Sequence, residues 1–204
     1  MKQGLKETLD LFFSIVDSLD LGVKLTETFG INVKWSEMIK EELLQFLTYL
    51  AASDGEISMD ESTFLFEYLD VDFSPIKINE YICENNTYSV EFEEEPPTSL
   101  KVMVQIDNAF YEQEMDIRTT TSEALIEVYR RIGKAFIQCD GVEDEQEKGN
   151  LKIFLRTMRE YAFDNLEVHK TPVKTGYGKK PRKVSKNDTV ENMDCDVEAP
   201  KKEG

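Results

Sequence analysis

A duplicated segment constrains the fold of this chain more than any other feature. Residues 47–69 read LTYLAASDGEISMDESTFLFEYL, and residues 133–155 read GKAFIQCDGVEDEQEKGNLKIFL. An offset of 86 residues aligns an Asp, a Gly and a following Glu in the two copies: Asp54 with Asp140, Gly55 with Gly141, and Glu61 with Glu147. Each copy has the pattern of an amphipathic helix, an Asp-Gly turn and a second amphipathic helix. The sequence therefore predicts two helix–DG turn–helix units related by a pseudo-twofold axis.

Apolar residues at helical spacing also occur outside the duplicated segments, and they extend over residues 5–163. They form five strong stripes, and two weaker helices are expected, one starting at Ser74-Pro75 and one over about 99–114. Residues 87–92 alternate as a strand would, but the segment is short and three glutamates follow it, so we interpret it as a loop. The predicted fold class is an all-α bundle of about seven helices.

Composition changes near Asn165. Residues 167–204 contain no Phe, Trp, Ile or Leu, so they have too little apolar surface to offset the entropy lost on ordering. We expect residues 1–166 to form an all-helical domain and residues 167–204 to form a disordered charged tail. Seven Lys and Arg side chains fall within residues 170–186. That block is either a solvated tether or an arm that contacts the acidic face of the domain or another anionic surface.

The net negative charge of the chain limits which class of macromolecule it is expected to bind. The whole chain has 24 basic and 41 acidic residues, a net charge of −17, and residues 1–166 have 15 basic and 34 acidic residues, a net charge of −19. Such a surface repels phosphate backbones, so we expect no nucleic-acid partner and instead a protein partner of basic character. No apolar run reaches the ~18 residues of a membrane helix, so we expect no membrane insertion.

The cysteines and the first residues of the chain predict its compartment. The three cysteines are widely spaced and suggest no disulfide framework, which favours a reducing environment. The N-terminal segment meets charged residues too early for a signal peptide. We therefore expect a cytoplasmic protein.

Each Asp-Gly turn contains residue types that typically end one helix and start the next. Gly55 and Gly141 are expected to adopt a left-handed conformation as the C′ residue of a helix. Ser58 and Glu61 form the S-x-x-E pattern of a capping box, and in the second copy Asp144 is the expected N-cap, three residues before Glu147. Glu61 and Glu147 therefore either only satisfy backbone N–H groups at a helix start or also have a functional role.

The two aspartates of the turns lack such a local explanation. Asp54 and Asp140 are predicted to lie in the last turn of a helix, where the macrodipole disfavours a negative charge. Because this unfavourable choice occurs twice at equivalent positions, it suggests a function. If the two turns pack together, four carboxylates converge: Asp54, Glu61, Asp140 and Glu147. Converging carboxylates favour a hard divalent cation such as Ca²⁺, Mg²⁺ or Mn²⁺, although the spacing is not that of an EF-hand.

At these residues the sequence resembles the TerB-like family, named for a tellurite-resistance protein. The likeness is carried by Ala51-Ala52-Ser53-Asp54-Gly55-Glu56-Ile57-Ser58-Met59-Asp60-Glu61 and, more loosely, by residues 139–147, and it covers about residues 35–163. The second copy departs from the family pattern with Gln138-Cys139 before its Asp and with Glu143 in place of Ile or Val. The resemblance implies an all-α bundle, an acidic face for divalent cations built from the same four acids, and a role in bacterial stress or defence assemblies.

The sequence gives no support to catalysis. The one histidine, His169, lies in the predicted tail, so no Ser or Cys has a His partner, and neither a P-loop nor a GxGxxG motif is present. We therefore expect a protein that is not an enzyme. Two hypotheses follow: a non-catalytic TerB-like scaffold that binds a divalent cation, or a metal-free acidic interaction module, of the immunity or inhibitor type, that binds a basic partner.

Overall fold

Seven α-helices make up nearly all of the described structure. The computed structural model describes residues 2–23, 34–53, 55, 57–85, 94–113, 120–142 and 144–167. The helices are α1 (Lys2–Val23), α2 (Trp35–Ala51), α3 (Met59–Leu69), α4 (Pro75–Asn85), α5 (Thr98–Glu112), α6 (Thr121–Ile137) and α7 (Glu145–Asn165). These residues contain no strand, so the all-α prediction is confirmed. The predicted loop at 87–92 lies outside the described residues, and so does the predicted tail of 167–204 except for Glu167, whose N–H donates to Oδ1 of Asn108.

The bounds of the helices reproduce the sequence repeat. Helices α2 and α6 have 17 residues each, and they begin at Trp35 and Thr121, an offset of 86. Helices α3 and α7 begin at Met59 and Glu145, which is the same offset, although α7 has 21 residues and α3 has 11. The two helix–turn–helix units predicted from the sequence are therefore present, with an extended last helix in the second unit.

Aromatic side chains in the core join the two units. Phe46 of α2 stacks on Phe154 of α7 with ring centroids 4.7 Å apart, and it meets Tyr129 of α6 edge-on at 5.2 Å. Phe64 of α3 packs edge-on against Phe136 of α6 at 5.3 Å. Burial of these large rings is the main driving force for holding the units together.

The other three helices pack around these two units. Helix α1 contacts α2 and α6, α4 contacts α2 and α3, and α5 contacts α6 and α7. At the end of α7, Asn108 of α5 donates to the carbonyl of Asn165 at 3.0 Å and accepts from the N–H of Glu167 at 2.8 Å. Leu166 is buried beside them, so the ordered packing continues to the end of the described residues.

A buried carboxylate fixes the start of α6. Asp107 of α5 is 4 % exposed, and its two oxygens accept four hydrogen bonds. The donors are the N–H and hydroxyl of Thr121, at 2.7 and 2.8 Å, and the N–H and hydroxyl of Ser122, at 2.9 and 2.6 Å. A negative charge at a helix N-terminus is favourable, and here it also satisfies N–H groups that the helix itself leaves free. Asp107 thus couples α5 to the second repeat unit.

One face of α1 remains apolar and exposed. Leu9, Phe12, Phe13 and Val16 are buried, whereas Leu11 and Ile15 are 63 % and 51 % exposed.

In the part of the chain that the structure describes, the helices all lack the combination of length and apolar character needed to cross a membrane.

Candidate functional site

The described residues of the two Asp-Gly turns have matching backbone geometry. After α2 the N–H of Ser53 donates to the carbonyl of Leu50 at 2.9 Å, and after α6 the N–H of Cys139 donates to that of Phe136 at the same distance. The φ angles of Gly55 and Gly141 are +80° and +83°, which confirms the predicted left-handed conformation.

The position of these glycines differs from the prediction. The helices are capped by Ala52 and Gln138, so Gly55 and Gly141 lie three residues beyond the caps and are not the C′ residues. The helices end early because the chain first makes one tight turn after each cap. The glycines then reverse the chain toward the next helix.

Asp140 has a structural role that the sequence argument did not foresee. It was expected in the last turn of a helix, but α6 ends at Ile137 and Asp140 lies two residues beyond the cap. Its Oδ1 accepts the N–H of Val142 at 2.8 Å, which forms an Asx turn. The prediction that Asp140 lacks a local explanation is therefore wrong, because the carboxylate stabilises the turn. The equivalent Asp54 lies outside the described residues.

The glutamates at equivalent positions of the repeat, Glu61 and Glu147, lie at buried helix starts. In the first unit Ser58 and Glu61 form the predicted capping box: the hydroxyl accepts from the N–H of Glu61 at 3.1 Å, and Oε2 of Glu61 accepts from the N–H of Ser58 at 2.6 Å. In the second unit Asp144 is the N-cap, as predicted, and accepts from the N–H groups of Gln146 and Glu147. Glu61 and Glu147 are only 5 % and 6 % exposed, so both carboxyl groups lie inside the fold.

Negative charges from both repeat units act on the thiol of Cys139. Burial first, and then the charges of Glu61, Asp140, Asp60 and Glu147, together raise the pKa of this half-buried thiol to about 12. Asp60 and Glu61 belong to the first unit, and Asp140 and Glu147 belong to the second. Three of the four predicted site residues therefore lie near enough to Cys139 for their charges to raise its pKa.

This acidic cluster is not, by itself, a complete set of metal ligands. Among the residues that the structure describes, no three His, Cys, Asp or Glu side chains lie close enough together to hold a metal ion. Two of the acids also have backbone partners, since Glu61 and Asp140 each accept an N–H group through one oxygen. A cation site at the turns would need the remaining carboxylate oxygens and a contribution from Asp54.

Two neighbours of the site were missed as site residues. Asp60 directly precedes Glu61, and Cys139 directly precedes Asp140. Both stood in the segments that resemble the TerB-like pattern, but the pattern assigns no role to either position. Only the packing of the two units brings the charge of Asp60 near enough to raise the pKa of Cys139.

Replacement of Gly141 by Ala is expected to lower the free energy of unfolding by about 1 kcal/mol, because a side chain disfavours the left-handed conformation. A Cβ atom at this position would meet nothing within 4 Å, so a steric clash contributes nothing to this loss. Gly141→Asn is the matched control, since Asn tolerates this conformation better and should lose less. Urea unfolding measures both variants, and equal losses for Ala and Asn would contradict the backbone explanation.

Comparisons of the chain with protein-family models, with curated proteins and with solved structures found no match.

Proposed function

We propose that this chain is a non-catalytic, TerB-like interaction module that uses its two Asp-Gly turns as one acidic site. The observation that carries the proposal is the burial of Glu61 and Glu147, at 5 % and 6 % exposure, at equivalent helix starts of the two units. The negative charges of these two acids and of Asp60 and Asp140 also all raise the pKa of the Cys139 thiol. The sequence resemblance supports the family assignment, and a place in a bacterial stress or defence assembly follows from that resemblance.

A divalent cation is the ligand that we propose for this site. Four carboxylates would hold Ca²⁺, Mg²⁺ or Mn²⁺: Asp54, Glu61, Asp140 and Glu147. Buried carboxylates that face each other repel, and a hard cation with oxygen ligands relieves that repulsion. The burial of Glu61 and Glu147 supports this ligand, because buried charges in proteins are usually paired or bound to a metal.

Isothermal calorimetry of the full chain with each of the three cations tests this proposal. At about 100-fold excess over Kd, a bound cation should raise the free energy of unfolding by roughly 2.7 kcal/mol, because the unfolded chain does not assemble the ligands. Asp54→Asn and Asp140→Asn should each remove most of that gain, and the double variant should lose little more, since the two residues share one site.

The control for this experiment is an exposed acid far from the turns. Glu37 lies near the start of α2, at the end opposite the first turn, and Glu37→Gln should leave cation binding unchanged. If millimolar Ca²⁺, Mg²⁺ and Mn²⁺ all leave both the calorimetric trace and the melting temperature of the wild-type chain unmoved, the cation proposal is wrong.

Exposed apolar side chains favour a second candidate, a metal-free module for a basic protein partner. Met59 and Val142 are each 67 % exposed, and they lie next to Asp60 and two residues after Asp140. Apolar side chains beside acidic ones fit a partner surface with basic and apolar residues. A peptide of alternating Lys and Leu should then bind in the presence of a chelator, and Met59→Ser with Val142→Ser should weaken it, whereas unchanged binding would contradict this candidate.

A further inference from the structure

Helix α1 has a stripe of uncharged residues on its solvent-facing side. The described members of this α1 stripe, all of them partly or largely exposed, are Gly4, Thr8, Leu11, Ile15 and Ser18. They are alternately four and three residues apart, and the same spacing reaches Gly22 near the end of α1. Because this spacing keeps residues along one side of a helix, it is typical of a surface that packs lengthwise against a second helix.

The two hydroxyl groups of the α1 stripe are already bonded within the helix. Oγ1 of Thr8 donates to the carbonyl of Gly4 at 2.7 Å, and Oγ of Ser18 donates to that of Ser14 at 2.8 Å. A partner that covers them would leave neither donor without an acceptor, so the usual cost of burying a polar group is small here. A Cβ atom at Gly4 would meet nothing within 4 Å, so this end of the stripe is open to a partner.

The order of residue types along the α1 stripe reads the same in both directions. From either end it runs from a glycine to a hydroxyl residue and then to a branched apolar residue. When two copies of α1 lie antiparallel, Leu11 of one copy is level with Ile15 of the other. The hydroxyl residues are then level with each other, and so are the glycines. An interface with twofold symmetry requires a surface that is complementary to itself, and this order meets that requirement.

We propose that α1 joins two copies of this chain in an antiparallel, twofold dimer. Leu11 and Ile15, which are 63 % and 51 % exposed, form the centre of the contact, where removal of apolar surface from water provides the driving force. Leu9 and Phe12, on the other side of the helix, are buried and hold α1 in its own domain. The contact is built from α1 alone and does not depend on the Asp-Gly turns.

The flanking positions of the α1 stripe are compatible with this pairing. Glu7 and Ser14 lie beside the stripe on its exposed side, one heptad apart. In the antiparallel pair Ser14 lies near the twofold axis, next to Ser14 of the other copy. The two copies of Glu7 are then about 21 Å apart along the helix axis, so the flank places no like charges directly opposite each other.

The size of the α1 surface predicts a weak, reversible dimer. The 22 residues of α1 extend over about 33 Å, and a strip roughly 10 Å wide gives about 330 Å² in each copy. A stable interface usually buries about 800 Å² of each partner, so this contact belongs among the weak ones. We therefore expect association at protein concentrations between about 10 µM and about 1 mM.

The charge of the domain predicts how salt affects the dimer. Residues 1–166 carry a net charge of −19, so two copies repel each other at long range. Salt screens this repulsion but leaves the burial of apolar surface in place, so the dimer should become tighter as the salt concentration increases. A basic partner on the same stripe would behave in the opposite way and bind more weakly in high salt.

Sedimentation equilibrium of the full chain tests the dimer. We expect the weight-average mass to rise above the monomer value of 23.6 kDa with increasing protein concentration, and to do so at lower concentrations in high salt. Leu11→Glu should raise the dissociation constant at least about tenfold, because each copy then places a charge in the apolar centre of the contact. Leu11→Ser should also raise it and serves as the second variant if Leu11→Glu does not fold.

The matched control is Ile76→Glu, which adds the same charge at an exposed apolar residue of α4. Ile76 is 72 % exposed and lies outside the α1 stripe, so this variant should associate as the wild-type chain does. A wild-type chain that stays monomeric up to about 1 mM would overturn the proposal. So would equal dissociation constants for Leu11→Glu and the wild type, or an association that weakens with salt.

Cysteine cross-linking tests the antiparallel direction. In a full chain with Cys83→Ser, Cys139→Ser and Cys195→Ser, Ser14→Cys should give a covalent dimer with a short bismaleimide, because the two copies of residue 14 lie near the axis. Thr8→Cys in the same background should give little, since antiparallel pairing separates the two copies of residue 8 by about 15 Å. Efficient cross-linking of Thr8→Cys with little of Ser14→Cys would overturn the antiparallel dimer.

Discussion

Asp107→Ala is expected to lower the free energy of unfolding by about 3–5 kcal/mol. The change removes a buried carboxylate that accepts four hydrogen bonds from Thr121 and Ser122. Two N–H groups at the start of α6 and the buried hydroxyl of Ser122 then lose their carboxylate acceptor, whereas the hydroxyl of Thr121 keeps the carbonyl of Met103 at 3.2 Å. Since a domain of this size has about 5–15 kcal/mol of stability in total, the variant should unfold at a much lower urea concentration.

Two variants separate the buried carboxylate from an ordinary helix cap. Thr120→Ala removes the exposed capping box of the same helix, in which the hydroxyl accepts from the N–H of Glu123 at 3.2 Å, and should cost only about 1 kcal/mol. Asp107→Asn keeps one acceptor oxygen and should cost about 2 kcal/mol, so it remains measurable if Asp107→Ala does not fold. A loss below about 1 kcal/mol for Asp107→Ala would show that Asp107 is not needed to hold α6.

Gly133→Val should cost about 2–3 kcal/mol, because no side chain fits at this point of α6. A Cβ atom built on Gly133 would lie 2.8 Å from Cδ1 of Leu151 and 3.0 Å from Cζ of Phe46. Both neighbours are buried, Leu151 at 6 % and Phe46 at 0 % exposure, so neither moves aside without disturbing the core. At Gly133, α6 therefore packs directly against side chains of α2 and α7.

Gly149 offers the matched control within α7. A Cβ atom there would meet nothing within 4 Å, so Gly149→Val should be neutral or should stabilise the helix by a few tenths of a kcal/mol, about the difference in helix propensity. Thermal unfolding of the two variants, compared with the wild type, measures both effects. Similar melting temperatures for Gly133→Val and Gly149→Val would contradict the close packing of α6 against Phe46 and Leu151.

The repeat and the helices could be predicted because their determinants are local. Apolar spacing sets each helix, and Ser58 with Glu61 or Asp144 with Glu147 marks a helix start within four residues of sequence. The left-handed Gly55 is equally local, because a β-carbon disfavours that backbone conformation in any context. These elements therefore match between the sequence and the structure.

The buried polar groups could not be predicted because their partners are distant along the chain. Asp107 bonds to residues 14 and 15 positions away, and Glu42 bonds to Ser99, 57 positions away. Neither acid lies in a recognisable motif, and 41 acidic residues give the sequence many equal candidates. Asp107 and Glu42 reach the helix starts that they cap only because α5 packs between its neighbours.

At the Asp-Gly turns the repeat was predicted correctly, but the reason inferred for Asp140 was wrong. The sequence placed Asp140 at the negative end of a helix dipole, and the structure places it two residues beyond the cap with a backbone N–H to accept. The mistake came from the assumed end of the helix, which was two to three residues too late. What the pattern did predict is the pairing of the two units, and with that pairing the charges of Asp140, Glu61 and Glu147 all raise the pKa of the same thiol.

The pKa of the Cys139 thiol is the most direct test of whether acids of both repeat units lie near one another. In a full chain with Cys83→Ser and Cys195→Ser, the rate of alkylation as a function of pH reports the pKa of Cys139 alone. The account predicts a pKa far above the usual 9.0, near 12. It also predicts that Glu61→Gln, a change in the other repeat unit, lowers this pKa, while Glu37→Gln leaves it unchanged. A pKa near 9.0 in the wild-type chain, or one that Glu61→Gln does not move, would contradict the claim that the two turns form one acidic site.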